Sequence, residues 1–342
     1  MKAIQLVEAK QPVELREIPT PDLGPGDVLV RVKAAGICHS DAHYRSGRSR
    51  VDPLPLTLGH EVAGVVEKIG RDVITVADGD RVCLHYLTSC GQCSQCERGN
   101  EQFCSTGLML GHFRRGGWAE FIVVPARNAV RLPDGISFEH GAVMMCSSST
   151  ALHALGKGRL AKGETVAVFG AGGLGMSAIQ LARALGASTV FAVDVSESKL
   201  ALAKEYGAVA VDARSGDAAE IIREMTDGNG VDVAVELIGL GVTMRQALQS
   251  VAVHGRAVIA GLSSESLEID TYRELLGREA ELIGANDHLL SELPFLLQLA
   301  ADGTLDLSRV VQRTVPLDAS IVNEVLDDLD AFRAPVRTVI VV

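Results

Sequence analysis

Four cysteines fall within fifteen residues: Cys90, Cys93, Cys96 and Cys104, in the run CGQCSQCERGNEQFC. This spacing lets four sulfurs converge on one point. Zn²⁺ takes four thiolates as a tetrahedron, and a site filled in this way keeps no open position. Its expected role is to staple a loop. A second set is scattered. Cys38 opens Cys38-His39-Ser40-Asp41 behind the segment LVRVKAAGI, His60 stands in Gly59-His60-Glu61, and Cys146 lies in HGAVMMCSSST. Two thiolates and one imidazole are a zinc set whose fourth position is left for water or substrate. Spacing alone does not connect these three. Taken singly, Cys38 or Cys146 is more often a small buried core residue than a ligand, and His60 alone an ordinary structural histidine.

A glycine motif, Gly170-Ala171-Gly172-Gly173-Leu174-Gly175, follows the apolar run TVAVF and opens a helical pattern. In a strand–turn–helix setting the first glycine permits the tight turn and Gly172 lets backbone approach a pyrophosphate. Gly175 allows helix to pack on strand, and the helix N-terminus faces the phosphates. Asp194 stands at the end of the next strand-like run, where a carboxylate accepts from ribose hydroxyls and repels a 2′-phosphate. Val195 and Ser196 follow it, with no Arg to receive that phosphate. The expected cofactor is NAD rather than NADP.

The elements that carry these residues change character along the chain. The first part is β-rich: Val28–Val32, Val62–Ile69 and Arg81–Leu84 are short Val- and Ile-rich runs separated by Gly- and Asp-containing turns. From Thr165 onward strands alternate with helices. TVAVFG is followed by a helix with Leu174, Ala178, Leu181, Ala182 and Leu185 on one face, then TVFAVD, SKLALAKEYGA, VDVAVELIG, GRAVIAG and AELIG. Such alternation predicts a parallel sheet covered on both faces. It is placed at residues 150–282. The last 60 residues hold a helix around Glu292–Ala301 and a terminal strand RTVIVV, which fit a return to the first domain.

Together these features resemble the zinc-dependent alcohol dehydrogenases of the medium-chain dehydrogenase/reductase family, over essentially the whole chain. The resemblance rests on CHSDAH, GHE, the four-cysteine lobe, Cys146, GAGGLG with its downstream Asp, and the terminal RT-plus-strand. It implies an α/β protein: a GroES-like β-rich catalytic domain from residues 1–149 and 283–342, and a Rossmann doubly wound parallel sheet from 150–282. It implies two Zn²⁺ per subunit, with Cys38, His60 and Cys146 on the catalytic ion. Asp41 then orients His60, and Glu61 approaches the metal during ligand exchange. Ser40 and His43 match the family's proton relay. His39, Asp194, Lys199 and Arg337 match cofactor contacts, beside Gly170, Gly172, Gly173, Leu174 and Gly175. Tyr86 matches a wall of the substrate pocket; its other reading is a packed strand aromatic. Cys83 and Trp118 read as structural.

The activity so implied is reversible NAD-linked oxidation of primary or secondary alcohols to aldehydes or ketones. Polyol or amino-alcohol oxidation is the rival within the family, and Cys-His-Ser-Asp with Cys146 as third ligand favours simple alcohols. A zinc-ribbon module reading nucleic acid is disfavoured, because Arg98 is the one basic residue between Cys90 and Cys104 and the net charge is −11. Other expectations complete the reading. The substrate is a small molecule and the chain a homo-oligomer, tetramer or dimer. No run of about 18 apolar residues suggests a membrane span. Seven cysteines without a disulfide pattern, and a start lacking a signal-type apolar stretch, suggest the cytoplasm.

Overall fold

The computed structural model describes residues 1–342. The chain divides into two compact units. One comprises Met1–Cys146, Leu289–Ala301 and Leu307–Val342; the other comprises Ser147–His288 and Asp302–Asp306.

The first unit opens with β1 (Lys2–Leu6), β2 (Glu14–Glu17), β3 (Asp27–Ile37), α1 (His39–Arg45), β4 (Leu56–Thr57), β5 (Val62–Ile69) and β6 (Arg81–Leu84). It continues through β7 (Leu87–Thr88), α2 (Ser94–Glu97), β8 (Leu108–Met109), β9 (Phe121–Pro125), β10 (Ala129–Arg131) and α3 (Phe138–Val143). Its main sheet has the order β10-β6-β5-β3, with β9 also pairing β3. Val28, Val30, Val32 and Ala34 point alternately inward from β3 and are essentially inaccessible, as the two-residue period of a half-covered strand requires. Val62–Ile69 and Arg81–Leu84 form strands with the expected limits. The run expected at Val28–Val32 extends to Ile37 through Gly36. Pairing of Gly36 with Val339, and its amide's bond to the Glu61 carbonyl at 2.9 Å, carry it past the weak strand propensity of glycine.

The second unit contains α4 (Ser149–Lys157), β11 (Thr165–Phe169), α5 (Gly173–Ala184), β12 (Thr189–Asp194), α6 (Glu197–Glu205), β13 (Val209–Asp212) and α7 (Ala218–Glu224). Next come β14 (Val231–Glu236), α8 (Gly241–Ser250), β15 (Val251–Ile259) and β16 (Glu281–Gly284). The sheet is parallel, in the order β13-β12-β11-β14-β15-β16. The order reverses between β11 and β14, which opens a crevice at their carboxyl ends where ligands bind in doubly wound folds. Helix α5 departs from the one-faced pattern. Ser177 and Gln180 are buried with its apolar residues, while Leu174 and Leu185 are only half-buried. Tertiary hydrogen bonds explain this: Ser177 Oγ lies 2.8 Å from Ser148 Oγ, and Gln180 bonds the Asp306 backbone twice, at 2.8 and 3.0 Å.

The chain then adds α9 (Leu293–Ala301), β17 (Val311–Pro316), α10 (Ala319–Asp330) and β18 (Arg337–Val341) to the first unit. β18 inserts between β3 and β17, antiparallel to the former and parallel to the latter. No helix is long and apolar enough to cross a membrane.

Candidate active site and metal centres

Cys38 follows the end of β3 and N-caps α1 in an extended conformation. Asp41 accepts a hydrogen bond from the Cys38 amide at 2.8 Å, which fixes the ligand's backbone. His60 is turned inward by Gly59, whose φ of +91° suits glycine. A side chain at Gly59 would also collide with the ring of Trp118, which is fully buried and donates from Nε1 to the Gly36 carbonyl at 3.1 Å. Gly36 in turn leaves room for Glu61, since a Cβ there would overlap that carboxylate. Cys146 arrives from a π-helical turn, Met144–Ser148, a device often found where a functional side chain must be re-aimed.

These elements bring Cys38, His60, Glu61 and Cys146 together, with their donor atoms all within 4.8 Å of one another and every residue buried. His60 Nδ1 faces Asp41 Oδ1 at 3.4 Å, while its Nε2 is buried with no hydrogen-bond partner. Arg337 forms a buried ion pair with Glu61. The Cys38 thiol is held well below its ordinary range, first by Cys146 and then, against the cost of burial, by His60 and Arg337. Burial works against a charged His60, yet Asp41 and the Cys38 thiolate carry it up to about 10. The pocket thus favours thiolate together with positive charge. Two sulfurs and an orphaned imidazole nitrogen fit a zinc ion with an open fourth position.

The four-cysteine lobe is compact and all its thiols are free. Cys93 and Cys96 sulfurs lie 3.5 Å apart, Cys90 and Cys96 3.9 Å apart, and the Cys90 amide donates to Cys104 Sγ at 3.3 Å. A tetrahedron with Zn–S of about 2.3 Å has edges of about 3.8 Å, so the sulfurs stand where such an ion needs them. The Cys96 and Ser105 amides draw Cys93 down to about 6, while burial and its neighbouring thiols push Cys96 up to about 11. The lobe is anchored by Glu101, which accepts from the Leu290 amide at 2.6 Å.

In the second unit Gly170 takes φ +95° and turns the chain out of β11. Gly172 N-caps α5, and a Cβ built on it meets nothing within 4 Å. Gly175 is closed instead: a Cβ there would strike the Gly170 carbonyl group. An open approach at the helix N-terminus, beside a tightly packed third glycine, fits a dinucleotide pyrophosphate. Gly173 starts the helix and Leu174 follows half-buried. Asp194 accepts from the Ala171 amide through Oδ2 and from the Ser196 amide through Oδ1, both at 2.8 Å. Its remaining lone pairs stay available for ribose hydroxyls. Lys199 lies half-buried on α6.

Residues 24–134 match the alcohol dehydrogenase GroES-like domain, and residues 173–301 the zinc-binding dehydrogenase domain. An alcohol dehydrogenase of Geobacillus stearothermophilus is 36% identical over 330 residues, covering 96% of this chain and 95% of that one. The chain belongs to the zinc-dependent alcohol dehydrogenases of the medium-chain dehydrogenase/reductase family. An NAD-dependent alcohol dehydrogenase of Sulfurisphaera tokodaii is 34% identical over 351 residues, all of both chains. The solved alcohol dehydrogenase TADH from Thermus sp. ATN1 superposes with a TM-score of 0.93 at 30% identity, covering 100% of this chain and 99% of that one. L-threonine 3-dehydrogenases stand among the further relatives.

The other residues read from this dehydrogenase's sequence cluster on α1. Ser40 Oγ lies 3.9 Å from Cys38 Sγ. His39 and His43 have ring centroids 4.9 Å apart, and Phe332 lies 5.2 Å from His39. Partial burial, aided by His39 and Arg48, holds His43 below its ordinary value. Tyr86 is buried and packs edge-on to His60 with centroids 5.3 Å apart. Cys83 is buried in β6 with its thiol pushed up to about 12, which suits an inert core residue. Two residues of this alcohol dehydrogenase escaped the sequence reading. Glu236 ends β14 at the crevice, fully buried. Its Oε1 accepts from the Ile238 and Gly239 amides at 3.0 and 2.9 Å and from Thr243 Oγ1 at 2.7 Å. Arg214 follows β13, whose Asp212 stands in register with Asp194, and its guanidinium pairs with Asp212. Strand order reveals both, and nothing in the local sequence does.

Proposed function

We propose that this enzyme oxidises primary or secondary alcohols with NAD, reversibly, at the Cys38–His60–Cys146 centre. The carrying observation is the convergence of those three buried ligands around an unpartnered imidazole nitrogen. When bound, zinc supplies Lewis acidity that acidifies a hydroxyl brought to it, and NAD supplies the hydride acceptor. Cys38, His60 and Cys146 hold the first ion, and Asp41 keeps the His60 ring oriented. Glu61 waits beside the ligands, its charge balanced by Arg337. Ser40 takes the proton released from the substrate hydroxyl, and His43 passes it outward as a neutral base, a role its lowered pKa supports. Tyr86 narrows the pocket at the His60 edge. Cys90, Cys93, Cys96 and Cys104 hold the second ion and brace the lobe.

Residues 150–282 hold the cofactor in this reading, and residues 1–149 with 283–342 the metal centre. Gly170, Gly172, Gly173, Leu174 and Gly175 cradle the pyrophosphate. Asp194 and Lys199 take the adenosine ribose. The subunit works as a homo-oligomer, tetramer or dimer, in the cytoplasm, which seven free thiols support. The presence of L-threonine 3-dehydrogenases among the relatives makes amino-alcohol oxidation the second reading. A panel of primary, secondary, aromatic, polyol and amino-alcohol substrates, each with NAD and NADP, decides between them by kcat/KM. Highest kcat/KM on L-threonine or a polyol overturns the simple-alcohol reading.

A further inference from the structure

Strands β12 and β13 run side by side with Asp194 opposite Asp212, and the Ala213 amide donates to the Asp194 carbonyl at 3.1 Å. Arg214 therefore leaves the carboxyl end of β13 next to the carboxylate assigned to the adenosine ribose. One edge of its guanidinium, Nε and a terminal nitrogen, is already taken. Nε lies 2.9 Å from Asp212 Oδ1 and 3.2 Å from Oδ2, and a terminal nitrogen lies 2.6 Å from Oδ2. The same aspartate accepts from the Arg214 amide at 3.0 Å, so one side chain shapes the turn and captures the cation. Glu197, in the first turn of α6, adds its field to Arg214. Arg214 draws the Asp212 carboxyl down to about 2.

We propose that Asp212 sets cofactor choice by holding Arg214 away from the ribose 2′ position, so that Asp212 is a positioning residue for specificity and Arg214 a withheld 2′-phosphate ligand. The proposal rests on the NAD reading above. A planar guanidinium with its fork free is the preferred partner of a 2′-phosphate, whereas a 2′-hydroxyl needs only an acceptor. Here a carboxylate occupies the Nε edge and turns the side chain toward Asp212, and a phosphate must draw it away. Asp194 adds a carboxylate at the ribose, and Glu197 lies near enough to Arg214 to act on it. NADP thus meets repulsion without its compensating cation, and NAD meets neither obstacle.

The test measures dissociation constants of NADH and NADPH by fluorescence for the wild type, Asp212→Asn, Arg214→Gln and the double variant, all metal-loaded. Asn keeps an acceptor for the Arg214 amide, so the turn is retained while the ion pair goes. Asp212→Asn is expected to tighten NADPH about tenfold, the worth of one charge-assisted contact, and to leave NADH within about twofold. Adding Arg214→Gln should abolish the gain, and Arg214→Gln alone should leave NADPH as weak as in the wild type. Unchanged NADPH affinity in Asp212→Asn overturns the proposal. So does a gain that survives loss of Arg214, or weakened NADPH binding in Arg214→Gln alone. The NAD reading fails separately, if the wild type binds NADPH more tightly than NADH.

Discussion

Gly172→Ala separates cofactor binding from folding. At this N-cap φ is −77° and ψ −160°, an extended conformation that alanine adopts freely, and a Cβ meets nothing within 4 Å. Two small terms oppose each other in stability. Alanine is a poorer N-cap than glycine by up to about 1 kcal/mol, and it restrains the unfolded chain by about 0.4–1 kcal/mol. The fold should therefore change by less than about 1 kcal/mol, and Tm by no more than about 4 °C. Binding has no such balance. The new methyl occupies the approach a pyrophosphate needs and withdraws a backbone N–H contact worth about 1.5–3 kcal/mol, or roughly 10–150-fold in Kd. Gly175→Ala behaves in the opposite way. Its Cβ would lie 2.8 Å from the Gly170 carbonyl carbon and closer still to the oxygen, so backbone must move at a cost of about 1–3 kcal/mol. The assay pairs a thermal melt of the unliganded protein with NADH titration by fluorescence. The reasoning is refuted if Gly172→Ala binds NADH as tightly as wild type, or loses as much stability as Gly175→Ala.

Three further outcomes are expected. A competing chelator should strip the open centre first, so that bound zinc falls from two towards one per chain with activity lost and the circular dichroism spectrum kept. Asp41→Ala leaves the buried Cys38 amide without its acceptor, costs about 1–3 kcal/mol in a denaturant melt, and lowers metal affinity about 10–100-fold by chromophore competition. His43→Gln should slow alcohol oxidation about tenfold near neutral pH, with partial rescue by added buffer base. Because burial lowers the His43 pKa, the base form persists as pH falls, and the wild-type relay should fail only below the ordinary value of 6.5. A mutant with wild-type kcat from pH 6 to 9 would remove His43 from the relay.

Much of this architecture was legible because local chemistry and tertiary setting agree. Val62–Ile69 and Arg81–Leu84 alternate or run apolar between turn residues, and they are strands with those limits. Gly170 and Gly175 announced themselves through the spaced glycine motif: the first needs a positive φ, the second a bare Cα. The scattered ligands were another matter. Cys38, His60 and Cys146 are joined by three separate devices: a strand end, a glycine turn and a π-helical turn. No spacing rule connects those, and only family resemblance proposed the set. Partnerships across the sheet were invisible. Arg337 and Glu61 were read separately, for different jobs, and the structure pairs them. Nothing in the sequence marked Arg214, which strand register brings two residues beyond the partner of Asp194. Ser177 and Gln180 look like solvent-facing residues of α5, yet hydrogen bonds distant in sequence bury them.

The placement of β18 has a consequence for biosynthesis. Its partner on β3 is Ala34–Ile37, the stretch that leads directly into Cys38. Ile37 and Arg337 are about 300 residues apart along the chain, which at translation rates of roughly 5–20 residues per second is about 15–60 s on the ribosome. Throughout that interval this part of β3 presents open backbone donors and acceptors, a template for mispairing between nascent chains. The parallel-sheet unit, made almost wholly in between, has all six of its strands before β18 is translated. Assembly of the catalytic centre is therefore ordered in time: its cofactor cradle can form first, and the strand supporting its first metal ligand is completed last.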